Sequence, residues 1–248
     1  MNALSAELLK ARTTRLLFWF AVGLAAFLVL VLSIHIGSHD LESLRERSTQ
    51  RGIFAFAGLT AVIAILIGTI LVTAEYAHGT INQSFLAVPV RWRLLVAKLG
   101  AAVLVVFGLA VFADAVTLLI AELWFQGRGV SLHLGRDTLA PFLGAVCASM
   151  LAAAIGVGIG ALFRRQTAAV VTILLWLLIG EAVIGVVGDG ARFAPGRALG
   201  AVAAAHSNGV ADRLGAWPAA LLGLLYAAVF CAVGFLVVLG SDVPGSGD

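Results

Sequence analysis

An all-α integral membrane fold with six transmembrane helices is predicted by three observations. Hydrophobic residues make up 61% of the 248-residue chain and charged ones only 12%, against about 45–50% and about 25% in soluble domains. Mean hydropathy is +1.06. Six apolar runs, at 16–36, 53–73, 99–121, 139–163, 167–187 and 217–239, each reach the roughly 20 residues that a helix needs to cross a hydrocarbon core of about 30 Å. The stretches between them are short, so one transmembrane domain over 1–248 is expected, with no soluble domain between spans.

Ahead of the first span, Leu4, Leu8 and Ala11 share one helical face while Glu7, Lys10 and Thr14 share the opposite one. That spacing predicts an amphipathic helix over 1–15 lying on the membrane surface. Lys10, Arg12 and Arg15 then lead into an apolar run too long for a secretory signal and without a small-x-small cleavage site, so span one reads as a retained anchor. With the N-terminus inside, the 16 cations divide evenly between the two sides. Arg15, Arg164 and Arg165 abut spans directly, and the first helix usually dominates topology, which favours cytoplasmic N- and C-termini. Trp19, Trp92, Trp124 and Trp217 fall near span ends as interfacial anchors. The polar, mixed-charge loop 37–52 reads as a solvated turn.

Between spans two and three, Thr80-x-x-Gln83 has the form of a capping box, and Gly79 before it allows a sharp exit from span two. Ile81, Phe85 and Val88 make one apolar stripe, and Pro89 disfavours helical backbone at Val88. A helix of about two turns is expected. So short a helix is marginal alone in water and needs a surface against which to bury Phe85. From these residues alone, an interfacial elbow and a helix docked on another protein are equally good readings. Arg91, Arg93 and Lys98, with Trp92, are expected to pin the start of span three at the headgroups.

Several chemistries are excluded. Cys147 and Cys231 lie inside spans, where a thiol is a small apolar packer, and neither a disulfide framework nor a metal motif is available. His35, His39, His133 and His206 have no metal-ligand spacing, and no Ser/His/Asp arrangement can be argued, so catalysis by this chain is not expected. The net charge of +3 sits in membrane-flanking segments, where it meets anionic lipid rather than nucleic acid. No Gly-x-x-x-x-Gly-Lys-Ser/Thr phosphate loop is present, so ATP cannot be cradled in that way. Gly156-Val-Gly158-Ile-Gly160 starts like a dinucleotide-binding pattern but lacks the strand and helix-start context. Ala152, Gly156 and Gly160 instead form a small-xxx-small ridge for close helix packing.

The pattern Glu75, His78-Gly79-Thr80, Leu86, Pro89, Arg91 and Lys98 resembles the cytoplasmic signature of type 2 ABC exporter permeases. The surface helix, the six spans and the long connection before span six extend the resemblance over nearly the whole chain. It implies that the segment after span two is a coupling helix docking on a separate ATPase subunit, through Glu75, His78, Gly79, Thr80, Ile81, Gln83, Phe85, Leu86, Pro89 and Arg91. It further implies two ATPase copies that carry ATP and Mg, a homodimer or heterodimer of permeases in the plasma membrane, and no cofactor on this chain. It makes 188–216, with its Pro195-Gly196 break and Arg192, Arg197 and Arg213 anchors, a re-entrant extracellular region; an exposed loop is the alternative.

Ionisable groups at membrane depth are functional candidates. At 1.5 Å per residue, Asp114 and Glu181 both lie roughly 24 Å from the cytoplasmic ends of their spans. Two readings stand: a shared translocation path or gate, or local hydrogen bonds, Asp114 toward Thr117 and Glu181 near the break at Gly180 with Arg192 or Arg197. Glu122 is interfacial. The function expected is the permease subunit of an ATP-driven exporter. A stand-alone secondary transporter would predict internal repeats with paired broken helices, and the halves 1–124 and 125–248 do not match. A membrane anchor or sensor would predict a soluble domain to be anchored.

Overall fold

The computed structural model describes residues 3–13, 15–81, 86, 90–133, 135–186, 188–204 and 214–240. Helix α1 (Ala3–Thr13) precedes α2 (Arg15–Gly37), and the short helices α3 (Leu41–Arg45) and α4 (Arg47–Phe54) lead through the 3-10 turn Ala55–Leu59 into α5 (Thr60–Ala77). Next come α6 (Arg91–Gly127), α7 (Arg136–Phe163) and α8 (Gln166–Leu175). A π-helical turn, Trp176–Gly180, joins α8 to α9 (Glu181–Val186). The 3-10 turn Gly188–Phe193, α10 (Pro195–Ala204) and α11 (Ala216–Leu239) complete the order, with no strand among the described residues. Six segments are long and apolar enough to cross a membrane. They match the six runs read from the sequence, with span four coinciding at both ends and the other ends shifted by no more than eight residues.

Span four, α7, is the hub. It packs against α5, α11, α6 and α10, and two-thirds of its apolar window (67%) is buried, against 11% for span five. Lipid tails are as apolar as leucine, so helices in a bilayer gain little from burying large side chains on one another and associate through close packing instead. The sequence of α7 suits that role. A Cβ on Gly156 would collide with the carbonyl of Ile65, and one on Gly160 would come within 2.8 Å of the carbonyl oxygen of Thr69. From the α5 side Gly68 lies equally close to the Ala153 carbonyl. The backbones therefore meet, and Thr69 Oγ1 donates across the contact to the Gly156 carbonyl at 3.0 Å. On the far face of α7 the backbone of Gly158 makes the same kind of approach to α11, and that of Gly234 approaches α7 from the α11 side, while Cys231 Sγ donates to the Ala154 carbonyl at 3.2 Å.

A second core joins the ends of the helices remote from α1. Leu24, Leu28, Leu32 and Ile36 recur every fourth residue and are fully buried along one stripe of α2, where they meet Phe54, Phe125 and Phe142. Loop 37–52 keeps its charged residues Asp40, Glu42, Arg45, Glu46 and Arg47 exposed, as a solvated turn would, but it also forms α3 and α4 and buries two side chains. Leu44 and Gln50 are fully buried there; Gln50 Nε2 donates to the carbonyls of Leu44 (3.0 Å) and Ser131 (3.2 Å), and its Oε1 accepts from His133 N (2.9 Å). Loops 37–52 and 128–135 are thus tied together by one amide, which pairs with backbone groups of Leu44, Ser131 and His133.

Candidate functional site

The segment singled out by the sequence begins where α5 stops. Gly79 has φ +67°. Its N–H donates to the Tyr76 carbonyl at 3.3 Å, and that of Thr80 to the Glu75 carbonyl at 3.0 Å. Those two bonds form a Schellman cap, whose left-handed residue glycine adopts without a Cβ clash. The chain therefore leaves span two abruptly. Thr80 and His78 are exposed, His78 Nδ1 lies 2.7 Å from the Ala74 carbonyl, Ile81 is half-buried and Leu86 is 84% exposed. Gln83, Phe85 and Pro89, with the proposed capping box and apolar stripe, lie outside the described residues. Arg91 opens α6 after the extended Val90.

Beneath this exit lies a knot of four charges that the sequence reading did not assemble. Lys98 Nζ sits 2.6 Å from Glu75 Oε1 and 2.9 Å from Glu7 Oε2. Lys10 Nζ sits 2.9 Å from both Glu75 Oε1 and Glu7 Oε1. The Lys98 side chain is only 1% exposed and those of Glu7 and Glu75 about a tenth, while that of Lys10 is half in the open at 52%. Burial by itself would lower the Lys10 pKa, but hydrogen bonds to Glu75 and Glu7 outweigh it and hold the ammonium above its ordinary value. Two expectations are corrected. Lys98 does not anchor span three at the headgroups, and Glu7 is not on the solvent face of α1. Glu7 is buried one turn from Ala11, because two ammonium groups pair with it and with Glu75 Oε1 where α1, α5 and α6 meet, while Glu75 Oε2 is buried without a hydrogen-bond partner among the described residues. Alternation of polar and apolar residues misplaces Glu7 because its partner is 91 positions away.

Asp114 and Glu181 are not brought together: they share no hydrogen bond and no ion pair among the described residues. Asp114 is half-buried in α6, and its buried Oδ1 has no partner among the described residues. Thr117 Oγ1 is unpartnered in the same way, so the expected local bond between them is not formed. Glu181 Oε1 accepts from Gly196 N at 2.7 Å and from Trp176 Nε1 at 3.1 Å. It thereby caps α10, in which Pro195 takes the first helical position it suits, and spans the π-helical turn. The expected pairing of Glu181 with Arg192 or Arg197 is absent from the described residues. Helix α10 is apolar and buried against α7 and α11; residues 205–213 lie outside the description.

Two apolar cavities open beside α7. One, of about 510 Å³, is walled by Ile155, Ile159, Trp176, Phe193, Tyr226 and Phe230 among others, and the Tyr226 hydroxyl donates to the Phe193 carbonyl at 2.6 Å. The other, of about 420 Å³, lies between α5, α7, Trp176 and α10. Neither Asp114 nor Glu181 lines either one. No cluster of metal-binding residues occurs among the described residues.

Comparison with known proteins adds one finding. A family model described as ABC-2 family transporter protein matches residues 3–183, which takes in α1, the charge knot, residues 75–91, the first four spans and most of the fifth. No curated protein matches the chain.

Proposed function

Since the chain belongs to the ABC-2 family of transporter proteins, we propose that this multi-pass membrane permease works in the export direction and is driven by a separate ABC ATPase acting on residues 75–91. Family membership implies the ATPase partner. In this reading the Schellman exit at Gly79 and the apolar Leu86 and Phe85 present the docking surface, and Thr80, Ile81, Gln83, Pro89 and Arg91 shape it. The observation that carries it is the charge knot. Glu75 stands one turn before the exit, and its bonds to Lys98 and Lys10 fasten the base of span two to span three and to α1. A push on the segment therefore cannot move α5 alone. It tilts α1, α5 and α6 as a group, and α5 presses on the hub α7.

The assembly proposed has two permeases and two ATPases in the plasma membrane, with N- and C-termini cytoplasmic and ATP and Mg held by the ATPases. The apolar cavities favour cargo with an apolar body. Asp114 is the better candidate for a polar point on the translocation path, because Glu181 spends its Oε1 on a helix cap. Copurification is the direct test: changing Phe85 or Leu86 to Asp should strip the ATPase from a folded permease. In contrast, Glu75→Gln should leave the ATPase bound while transport per ATP hydrolysed falls. Uphill accumulation of cargo in vesicles that hold the permease without ATPase or ATP would instead favour a secondary carrier.

A further inference from the structure

At the same end of the bundle, the two-residue turn between α7 and α8 borders a cleft of about 880 Å³ walled by Tyr76, Arg164, Arg165, Gln166, Thr167 and Val171 among others. No Asp or Glu lines it. Arg164 takes a left-handed backbone, φ 55°, which an L-residue adopts at a steric cost, and its Nη2 donates to the Val237 carbonyl at 2.6 Å. That bond holds the guanidinium against the end of α11, while its Nε is buried without a hydrogen-bond partner among the described residues. Arg165, exposed beside it, occupies the cap position of α8 and gives no side-chain cap. A guanidinium only donates, so the first N–H groups of α8 also lack an acceptor from that side chain. The acid nearest in sequence to Tyr76, Glu75, is already engaged with Lys98 and Lys10.

We propose that this cleft binds the phosphate of an anionic lipid headgroup. Charge complementarity selects an anion: the residues that line the cleft include two arginines, Gln166 and Thr167 and no carboxylate. The rest of the wall selects a lipid over a free phosphate. Val170 and Val171 continue the cleft along α8, and Val171, Leu174 and Leu175 are exposed further along the span, so an acyl chain can follow the helix from a headgroup held at its start. Basic pockets between transmembrane helices are suited to anionic headgroups in this way, and arginine binds phosphate through paired N–H groups. The site is distinct from the charge knot and does not depend on the direction of transport.

Native mass spectrometry of the purified permease tests it, after delipidation and titration with phosphatidylglycerol or phosphatidylcholine, with glycerol phosphate as a soluble competitor. Wild type should retain phosphatidylglycerol over phosphatidylcholine. Arg165→Gln should lower that occupancy about tenfold, equivalent to about 1.4 kcal/mol. Arg165→Lys should keep part of it, and Arg45→Gln, at the other end of the bundle, should keep all of it. A thermal unfolding curve like that of wild type shows that Arg165→Gln is folded. Equal retention of the two lipids by wild type overturns the proposal, as does undiminished phosphatidylglycerol on Arg165→Gln. Displacement of the lipid by glycerol phosphate would mark a soluble-phosphate site instead, and unchanged lipid with loss of the copurifying ATPase would mark a protein contact; either result also overturns it.

Discussion

Helix α5 is held at two places by opposite means. Along its length, glycine and threonine let its backbone touch that of α7, with no charge involved. At its end, Glu75 is held by two lysines in a knot from which Lys98 is almost wholly hidden. The first contact depends on side chains being absent. The second depends on every charge having its partner, since an ion taken from water is costly unless it is paired. In the coupling proposed above, the first would act as a bearing and the second as the fastening through which force enters the helix.

Breaking the fastening should have the largest effect. Lys98→Met leaves Glu7 and Glu75 buried with only the half-exposed Lys10 between them, and should cost about 3–5 kcal/mol, read as a fall in the thermal midpoint in detergent. Adding Glu75→Gln should recover much of that loss; a double variant no better than the single would show that the knot is not a unit. The bearing comes next. Gly156→Ala puts a methyl group against the Ile65 carbonyl and should cost about 1–3 kcal/mol. Gly23→Ala, where nothing lies within 4 Å, should cost nothing.

Smaller effects sharpen the same contrast. Glu181→Ala removes the cap from α10 and should destabilise that helix by about 1 kcal/mol, seen as faster hydrogen exchange over Pro195–Ala204 with the α5 to α7 contact unaffected. The weakest effect is that of pH on Lys10. Its folded-state pKa is raised above the ordinary 10.5, so its stabilisation is complete below the unfolded value and is lost as pH rises through the folded one. Because the side chain is half-exposed, the loss should stay below about 1 kcal/mol. It should appear only in strongly alkaline solution as release of α1, measured by a fluorescent label on that helix, and should vanish in Lys10→Met.

Much of the architecture was legible because bilayer thickness turns hydrophobic run length into span count. The abrupt exit after span two was legible too, since Gly79 stands where a helix needs a left-handed cap. The knot was not. Glu7 obeys a local period that assigns it to solvent, and Lys98 follows Arg91 and Arg93 as though it were one more interfacial cation. The break at Gly180 was legible, though not its form as a π-helical turn from Trp176, and the role of Glu181 was not, because Gly196, whose N–H it accepts, lies 15 residues further on.

By itself the sequence determined that this chain crosses a membrane six times and where span two must stop, because transfer of apolar surface and the backbone freedom of glycine act residue by residue. Only the tertiary structure decided which charges are buried together, which carboxylate became a cap, and which arginines were left to face a cleft. The worth of an ion is set by what stands within about 4 Å of it, and for Glu7, Glu75 and Arg164 those neighbours come from distant parts of the chain.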